Sequence, residues 1–227
     1  KLARPEGQGR SARLLLLPLS LLALSAAAVV SAQTAPAKAP VDEVNPLVGT
    51  APLDRPELIG NAPPPGEPVY SGQTSPGVRL PHSSVEAAPI NNNIALTYPN
   101  GVEVPYYYTN PTMIGFSGGG GSSYGGRAEP IIMPVVGDWS APPAYSQSYY
   151  DKSREVASPG YYSVYLDTFR TTAELTATQW ASVMRFTFPQ SDRSNVLINF
   201  PEHGGDIEIV GNQMVRGVSK DSGGADG

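Results

Sequence analysis

Apolar and polar side chains alternate from residue 153 to residue 188, with the two-residue period of strands that bury one face. Pro159 and Gly160 mark a turn before the first of these strands. The apolar positions then form three successive runs: Tyr162, Val164 and Leu166; Ala173, Leu175 and Ala177; and Trp180, Met184, Phe186 and Phe188, with Ser182 as the exception. We expect three strands of an antiparallel meander, with Trp180 packed in the core.

Shorter runs of the same kind flank this meander. Pro130 and Pro134 interrupt one of them, which favours an edge strand or a strand start there. The runs are Ile94, Leu96 and Tyr98; the segment PIIMPVV at 130–136; Val196, Ile198 and Phe200; and Ile207 and Ile209, followed by a Gly211–Asn212 hairpin turn that leads to Met214 and Val218. Helical spacing is weak throughout the same region. The sequence therefore predicts an all-β fold, an antiparallel β-sandwich with long loops rich in Gly and Pro.

Composition narrows the class of protein further. The chain has 227 residues, enough for one globular domain, and contains 24 Gly, 24 Pro and no Cys. The lack of Cys excludes disulfides and thiolate metal sites. The formal net charge is -5, and no basic stripe is present, so nucleic acid is not an expected partner.

The N-terminal region has the pattern of a secretory signal peptide. Basic residues up to Arg13 precede the apolar run of residues 14–30, and small residues follow up to a plausible cleavage site after Ala32. A membrane anchor is the alternative, because the run approaches the ~20 residues that span a bilayer. We expect a signal peptide at 1–32, a flexible linker at 33–43 and one β-sandwich domain at 44–227, truncated at its C-terminal end. That organisation implies export to the periplasm or the extracellular space, without a stable membrane anchor.

Two segments are predicted to be loops. The prolines of APPPGEP at 62–68 prevent regular structure, so this insertion is interpreted as an exposed loop. The segment IGFSGGGGSSYGG at 114–126 lacks the Lys-Ser/Thr ending of a phosphate-binding P-loop. It is either a mobile loop at a sugar site or a structureless surface loop.

Several segments resemble, in the same order, those that characterise the N-terminal domain of glycoside hydrolase family 92, the calcium-dependent exo-acting α-mannosidases. The resemblance covers about residues 44 to 210. The matching segments are VNPLVGT (44–50), GQTSPGVRLP (72–81), MIGFS (113–117), EPIIMP (129–134), ASPGYYSVYL (157–166), AELTATQW (173–180) and MRFTFP (184–189). The family's His-Thr-His after GFS is replaced by glycines at 118–120, and its Phe-Gly after the turn proline is replaced by His82 and Ser83.

The resemblance implies a function for the longer protein. It implies inverting hydrolysis of terminal mannose on glycans, of α-1,2 type, by an exported enzyme that uses calcium. In the family, the catalytic carboxylates and calcium ligands lie mostly on a following (α/α)6 domain, so a downstream helical domain is the expected partner of this chain. No catalytic residue and no metal ligand are assigned within the 227 residues, and the chain alone is predicted to be inactive.

Sugar contact is the chemistry that the chain itself is expected to supply. A tyrosine offers a flat apolar face to the CH groups of a pyranose and a hydroxyl for polar recognition. Tyr106, Tyr107 and Tyr108 precede the GFS segment, and Arg79 and Ser117 lie in two of the matching segments, so these five are the candidate substrate contacts. The alternatives are packing in the core for the tyrosines and an ordinary surface charge for Arg79.

Other polar residues do not identify a catalytic or metal site. Inverting hydrolysis needs two carboxyl groups ~6.5–9.5 Å apart, and the sequence does not single out such a pair among Asp151, Glu155, Asp167, Glu174, Glu202 and Asp206. His203 and Asp206 could place two ligands in one loop, but an ordinary turn is the favoured interpretation. A non-catalytic carbohydrate-binding or structural β-sandwich module therefore stays open as the second hypothesis.

Overall fold

The computed structural model of the chain describes residues 38–51, 74–91, 106–118, 130–138, 146–200 and 204–219, all within one compact unit. These residues form twelve strands, and their helical structure is limited to the short 3-10 helices Pro40–Glu43 and Lys152–Arg154. The strands are β1 Ala88–Ile90, β2 Thr112–Met113, β3 Gly115–Ser117, β4 Ile131–Val136, β5 Ser148–Tyr149, β6 Glu155–Ser158, β7 Tyr161–Leu166, β8 Thr171–Ala177, β9 Ser182–Thr187, β10 Ser194–Asn199, β11 Gly205–Val210 and β12 Met214–Ser219.

The predicted meander is confirmed as a four-stranded antiparallel sheet in the order β6-β7-β8-β9. Gly160 takes a positive φ of 78° in the turn between β6 and β7, a conformation that glycine adopts without strain. Every second residue of β7 and β8 is buried, as the alternation predicts. Tyr162 lies opposite Leu175, and Val164 opposite Ala173, so one face of the sheet is continuously apolar.

A second four-stranded antiparallel sheet has the order β1-β3-β4-β10. The apolar segment at 130–136 is confirmed as a strand. Of the two predicted alternatives, the edge position is wrong, because β4 pairs with β3 on one side and β10 on the other, whereas Pro130 directly precedes β4, as expected for a strand start. Pro134 is tolerated there because β3 pairs only with Ile131 and Ile132, so the missing N–H of Pro134 breaks no hydrogen bond to β3.

One hydrophobic core joins these two sheets. Tyr162, Val164 and Leu175 from the meander pack with Phe116 of β3 and Met133 of β4. Full burial of a large apolar side chain stabilises a fold by about 1.5–3 kcal/mol, so this shared face holds the sheets together. The all-β antiparallel class is thereby confirmed.

The parity predicted for β10 is wrong, although the strand itself is confirmed. Leu197 packs against the core, whereas Val196 is exposed. Pairing with β4 sets this register, since Leu197 lies opposite the buried Met133. A neighbouring strand thus overrides the alternation that the isolated segment suggests.

Two smaller antiparallel pairs complete the described strands. β2 pairs with β5, and β11 with β12 around the predicted turn, where Gly211 has a φ of 66°. Ile207 and Ile209 of β11 are exposed to solvent. The predicted strand around Ile94, Leu96 and Tyr98 lies outside the described residues, as do the predicted signal peptide at 1–32 and the predicted loop at 62–68. Within the described ranges, no helix is long and apolar enough to cross a membrane.

Trp180 is not a core residue, so the prediction for it is wrong. It lies between β8 and β9 and is 72% exposed. The hydrogen bond from Thr178 N to Ala181 O at 2.8 Å closes a turn there, which ends the alternation before the tryptophan. The apolar parity resumes only with Met184 and Phe186 of β9.

Candidate functional site

A buried ionic cluster surrounds Glu155 at the start of β6. We call it the tyrosine–lysine cluster. The Glu155 side chain is only 1% exposed and lies 3.1 Å from the Lys152 ammonium. Its Oε1 accepts hydrogen bonds from the hydroxyls of Tyr106, at 2.6 Å, and Tyr162, at 2.5 Å. Lys152 Nζ also donates to the hydroxyls of Tyr106, at 2.6 Å, and Tyr150, at 2.5 Å. The cluster therefore consists of Tyr106, Tyr150, Lys152, Glu155 and Tyr162.

The electrostatics of the tyrosine–lysine cluster follow from burial. Burial raises the pKa of Tyr106, Tyr150 and Tyr162, and the Glu155 carboxylate adds to each increase because it repels a phenolate. Burial also lowers the pKa of Lys152, an effect that Glu155 opposes. At neutral pH the three hydroxyls stay protonated and serve as hydrogen-bond donors and acceptors. The cluster has none of the activated phenolates that covalent catalysis would need.

Asn91 connects this cluster to the candidate tyrosines. Its Nδ2 donates to Tyr150 Oη at 2.8 Å and to Tyr107 O at 2.7 Å, while its Oδ1 accepts from Tyr107 N at 2.7 Å. The amide thus pairs with the backbone of Tyr107 as a neighbouring strand would. Tyr108 is 39% exposed, and its ring centroid lies 4.6 Å from Lys152 Nζ, within the range of a cation–π contact.

The predicted sugar contacts therefore differ greatly in accessibility. Tyr106 is fully buried, and internal partners occupy its hydroxyl. Ser117 is fully buried in β3, and its Oγ has no hydrogen-bond partner among the described residues. Tyr107 is partly exposed and Tyr108 is exposed. Of the three tyrosines, only Tyr107 and Tyr108 offer side-chain surface to a ligand.

Arg79 is exposed and forms an ion pair with the largely buried Glu86, with 3.6 Å between Nη1 and Oε2. Burial raises the pKa of Glu86, and the charge of Arg79 partly opposes this increase. A Cβ at Gly77 would lie only 2.1 Å from Glu86 Oε1, so glycine at this position makes room for the carboxylate. Arg79 thus has a structural partner, although 66% of its side chain is exposed.

An open groove of about 560 Å³ lies beside Trp180, and we call it the Trp180 groove. It borders the end of the GFS segment, because Gly118 lines it. Ser182 Oγ donates to Gly118 O at 2.5 Å, which ties β9 to that segment. The lining residues are Val85, Gly118, Pro130, Ile132, Trp180, Ala181, Ser182, Met184 and Phe186.

The described carboxylates are held in separate local contacts. Asp151 caps the 3-10 helix by accepting from Ser153 N, Asp167 pairs with Arg154, and Glu174 binds Arg185 and Tyr161. Within the described ranges, no three His, Asp or Glu side chains gather as a metal site would require. Glu202 and His203 lie outside those ranges, and His82 has a positive φ of 61° in a turn.

Sequence reasoning missed Lys152 and Asn91. Neither belongs to an alternating run or to a matching segment, and each contacts a tyrosine that is distant in the chain, Tyr106 in the case of Lys152 and Tyr150 in the case of Asn91. Lys152 and Glu155 are three residues apart, the only local signal of an ion pair. The groove was missed because its residues come from four separate segments of the chain.

Comparisons with known proteins agree with the resemblance seen in the sequence. A family model described as the glycosyl hydrolase family 92 N-terminal domain matches residues 43–227. No curated protein matches the chain. Two structures of a family GH92 α-mannosidase from Bacteroides thetaiotaomicron, one of them in complex with mannoimidazole, align with TM-scores of 0.52. The structure without mannoimidazole is 26% identical and is matched over 70% of this chain and 20% of its own.

A family GH92 inverting mannosidase from Bacteroides thetaiotaomicron VPI-5482 shares the fold. Its TM-score is 0.59 at 23% identity, over 81% of this chain and 23% of its own. The chain thus spans about a fifth of the length of the solved structures that it matches. Because the family model matches most of the sequence, the chain belongs to the N-terminal domain family of glycosyl hydrolase family 92.

Proposed function

We propose that this chain is the N-terminal part of an exported, calcium-dependent exo-α-mannosidase that removes terminal mannose from glycans with inversion, with α-1,2-linked mannose as its substrate. Its two packed sheets form a supersandwich-like domain that shapes the sugar site. The catalytic carboxylates and the calcium ligands lie on a downstream helical domain of the same protein.

The match of the family model over residues 43–227 carries this proposal. The glycoside hydrolase class follows from the family, and mannose is favoured because the solved neighbours are described as mannosidases. The core shared by the two four-stranded sheets supports the sandwich architecture. The apolar run before Ala32 supports export.

The described residues do not fit a calcium site. Calcium takes six to eight oxygen ligands, whereas the described carboxylates are dispersed over separate contacts and gather in no group of three. We therefore derive no step of the reaction through calcium from this chain. Protonation of the leaving oxygen and activation of water are assigned to carboxyl groups of the helical domain.

The contribution of this chain is to position surface residues for substrate binding. The tyrosine–lysine cluster fixes the loop that carries Tyr107 and Tyr108, because Asn91 binds the backbone of Tyr107 and Lys152 contacts the ring of Tyr108. Such support reduces the conformational entropy that a sugar-binding loop loses when a ligand binds.

Mannose release by purified protein tests this proposal. We expect the full-length product of the gene to hydrolyse α-1,2-mannobiose, to release the β-anomer first and to lose activity when calcium is chelated. The 227-residue chain should be inactive under the same conditions. A full-length product without activity on any α-mannoside, or turnover by the 227-residue chain alone, would contradict the proposal.

Export is tested separately by N-terminal sequencing of the secreted or periplasmic protein. Cleavage after Ala32 predicts that the mature chain begins at Gln33. A protein that stays in the cytoplasm with residues 1–32 attached would contradict export.

A further inference from the structure

We propose that the Trp180 groove binds a pyranose ring of the glycan, with the exposed indole of Trp180 as its stacking surface. This inference rests on the proposed function for the class of ligand, a neutral carbohydrate. It adds a binding site on the described part of the chain, and no residue of the tyrosine–lysine cluster lines it.

The exposure of Trp180 is the first observation behind this site. Tryptophan is one of the largest apolar side chains and is highly buried on average, yet Trp180 is 72% exposed. It lines a groove together with the apolar side chains of Ile132, Met184 and Phe186. A flat aromatic ring at the rim of an apolar groove suits the CH face of a pyranose.

The uncharged lining of the groove favours a neutral ligand. The nine described side chains that line the groove are all uncharged, so they offer no charged partner to a phosphate, a carboxylate or an ammonium group. The Ser182 hydroxyl donates a hydrogen bond to the Gly118 carbonyl. The lone pairs of its oxygen can accept a hydrogen bond from a sugar hydroxyl. The volume of about 560 Å³ lies within the usual range of small-ligand sites.

The turn that carries Trp180 is held in place before any ligand binds. Thr178 Oγ1 accepts hydrogen bonds from Trp180 N at 3.2 Å and from Ala181 N at 2.9 Å. Gln179 O accepts a further bond from Ser84 N at 2.9 Å, which fastens the turn to the segment before β1. A preorganised ring position favours binding because less conformational entropy is lost.

Gly118 keeps the groove open. A Cβ at this position would lie 3.1 Å from Met184 Cε and 3.5 Å from Ser182 Cβ, so any larger residue would intrude on the groove. This chain has glycine at 118, where the segment that it resembles in the family has a histidine.

Tryptophan fluorescence tests the site directly. The chain has two tryptophans, so Trp139→Phe leaves Trp180 as the only indole. We expect methyl α-mannopyranoside and α-1,2-mannobiose to shift its emission to the blue in a saturable manner. Calorimetry of the otherwise unaltered chain should show that Trp180→Ala weakens binding about tenfold, and that Trp180→Phe restores part of it.

Tyr149→Ala is the matched control, because Tyr149 is another exposed aromatic residue, at 66%, and does not line the groove. We expect this variant to bind the sugars with unchanged affinity. Gly118→Leu, with circular dichroism to verify folding, should abolish binding by filling the groove. Unchanged affinity in Trp180→Ala, or the lack of any emission shift with both sugars, would overturn the inference.

The test of the groove site can be distinguished from the test of the proposed mannosidase function. Mannose release by the full-length product with unchanged KM in Trp180→Ala would overturn only the groove site. Trp180-dependent binding by a full-length product that hydrolyses no α-mannoside would support the groove site and contradict the enzyme.

Discussion

The tyrosine–lysine cluster and the Trp180 groove are opposites in accessibility. The cluster gathers three tyrosines, the residue type expected to meet sugars, and buries their hydroxyls around Glu155. The groove exposes the tryptophan that was expected in the core. Residue type therefore does not decide which aromatic side chain meets solvent. The available partners decide it. A tyrosine hydroxyl can be buried only where it forms hydrogen bonds, and the indole of Trp180 is exposed because it follows the end of a strand, where no sheet covers it.

The two regions should also differ in how much they contribute to the free energy of unfolding. The cluster contains the buried carboxylate of Glu155, whose removal would leave the Lys152 ammonium without its counter-ion. We therefore expect the cluster to contribute to the free energy of unfolding. The Trp180 groove is open to solvent in the folded chain, so we expect changes to its residues to alter ligand affinity more than the free energy of unfolding. The following variants test this contrast.

The largest effect is expected from Glu155→Gln. This change leaves the half-buried ammonium of Lys152 without its counter-ion, so the free energy of unfolding should fall by about 3–5 kcal/mol in urea titrations. Glu208→Gln is the matched control, because its ion pair with Arg216 is exposed and should contribute little. A similar small change in both variants would refute the importance of the cluster.

A double variant sharpens this test. Adding Lys152→Met to Glu155→Gln removes both charges, so no ammonium is left unpaired. We expect the double variant to be more stable than the sum of the two single changes predicts. Strict additivity would mean that the two charges do not interact.

Alkaline pH should weaken the fold through the same cluster. Burial raises the pKa of Tyr106, Tyr150 and Tyr162, so the folded protein keeps protons that the unfolded chain releases above pH ~10, and stability falls as pH rises. Lys152 acts in the opposite direction, because its lowered pKa makes stability rise towards pH ~10.

Three tyrosines outweigh one lysine, so stability should fall between pH 10 and 11, by at most about 1.4 kcal/mol for each tyrosine. Urea titrations at both pH values measure the change. In Tyr106→Phe the fall should be smaller, because one titrating hydroxyl is absent. An equal slope in the variant and the unaltered chain would show that Tyr106 does not contribute.

A smaller effect is expected from Tyr162→Phe. It removes one hydrogen bond to the Glu155 carboxylate, a type of bond that contributes about 1.5–3 kcal/mol. Tyr149→Phe is the control, because its side chain is mostly exposed. Thermal and urea unfolding of both variants measure the difference. Equal stability of the two variants would contradict the role of the Tyr162 hydroxyl.

The smallest stability effect is expected from Trp180→Ala, within about 0.5 kcal/mol, because the side chain is 72% exposed. Urea titration of this variant is the measurement. A loss of several kcal/mol would place Trp180 among the packing residues and end the contrast between the two regions.

Sequence reasoning was most successful where local pattern and burial coincide. The alternation of Tyr162, Val164 and Leu166 predicted β7 because one face of that strand is covered along its length. It failed for Val196, where pairing with β4 sets the register, and for Trp180, where a turn ends the strand. The ordered segments identified the family, and the family model matches residues 43–227.

The candidate site was less predictable. Arg79, Tyr106, Tyr107, Tyr108 and Ser117 were chosen from the matching segments and their neighbours, and the structure distributes them between the core and the surface. Among them, Tyr106 contacts Lys152, which is 46 positions away in the chain, and Tyr107 contacts Asn91, which is 16 positions away. No local pattern encodes such contacts.

The sequence by itself determined the strand class, the meander and the family, because a two-residue period and an ordered set of segments are properties of the chain. Only the tertiary structure decided which aromatic rings are buried. That outcome depends on pairing between distant strands and on the hydrogen-bond partners available to a buried hydroxyl. The hydroxyls of Tyr106 and Tyr162 are buried because Glu155 accepts their hydrogen bonds, whereas the indole of Trp180 stays exposed to solvent.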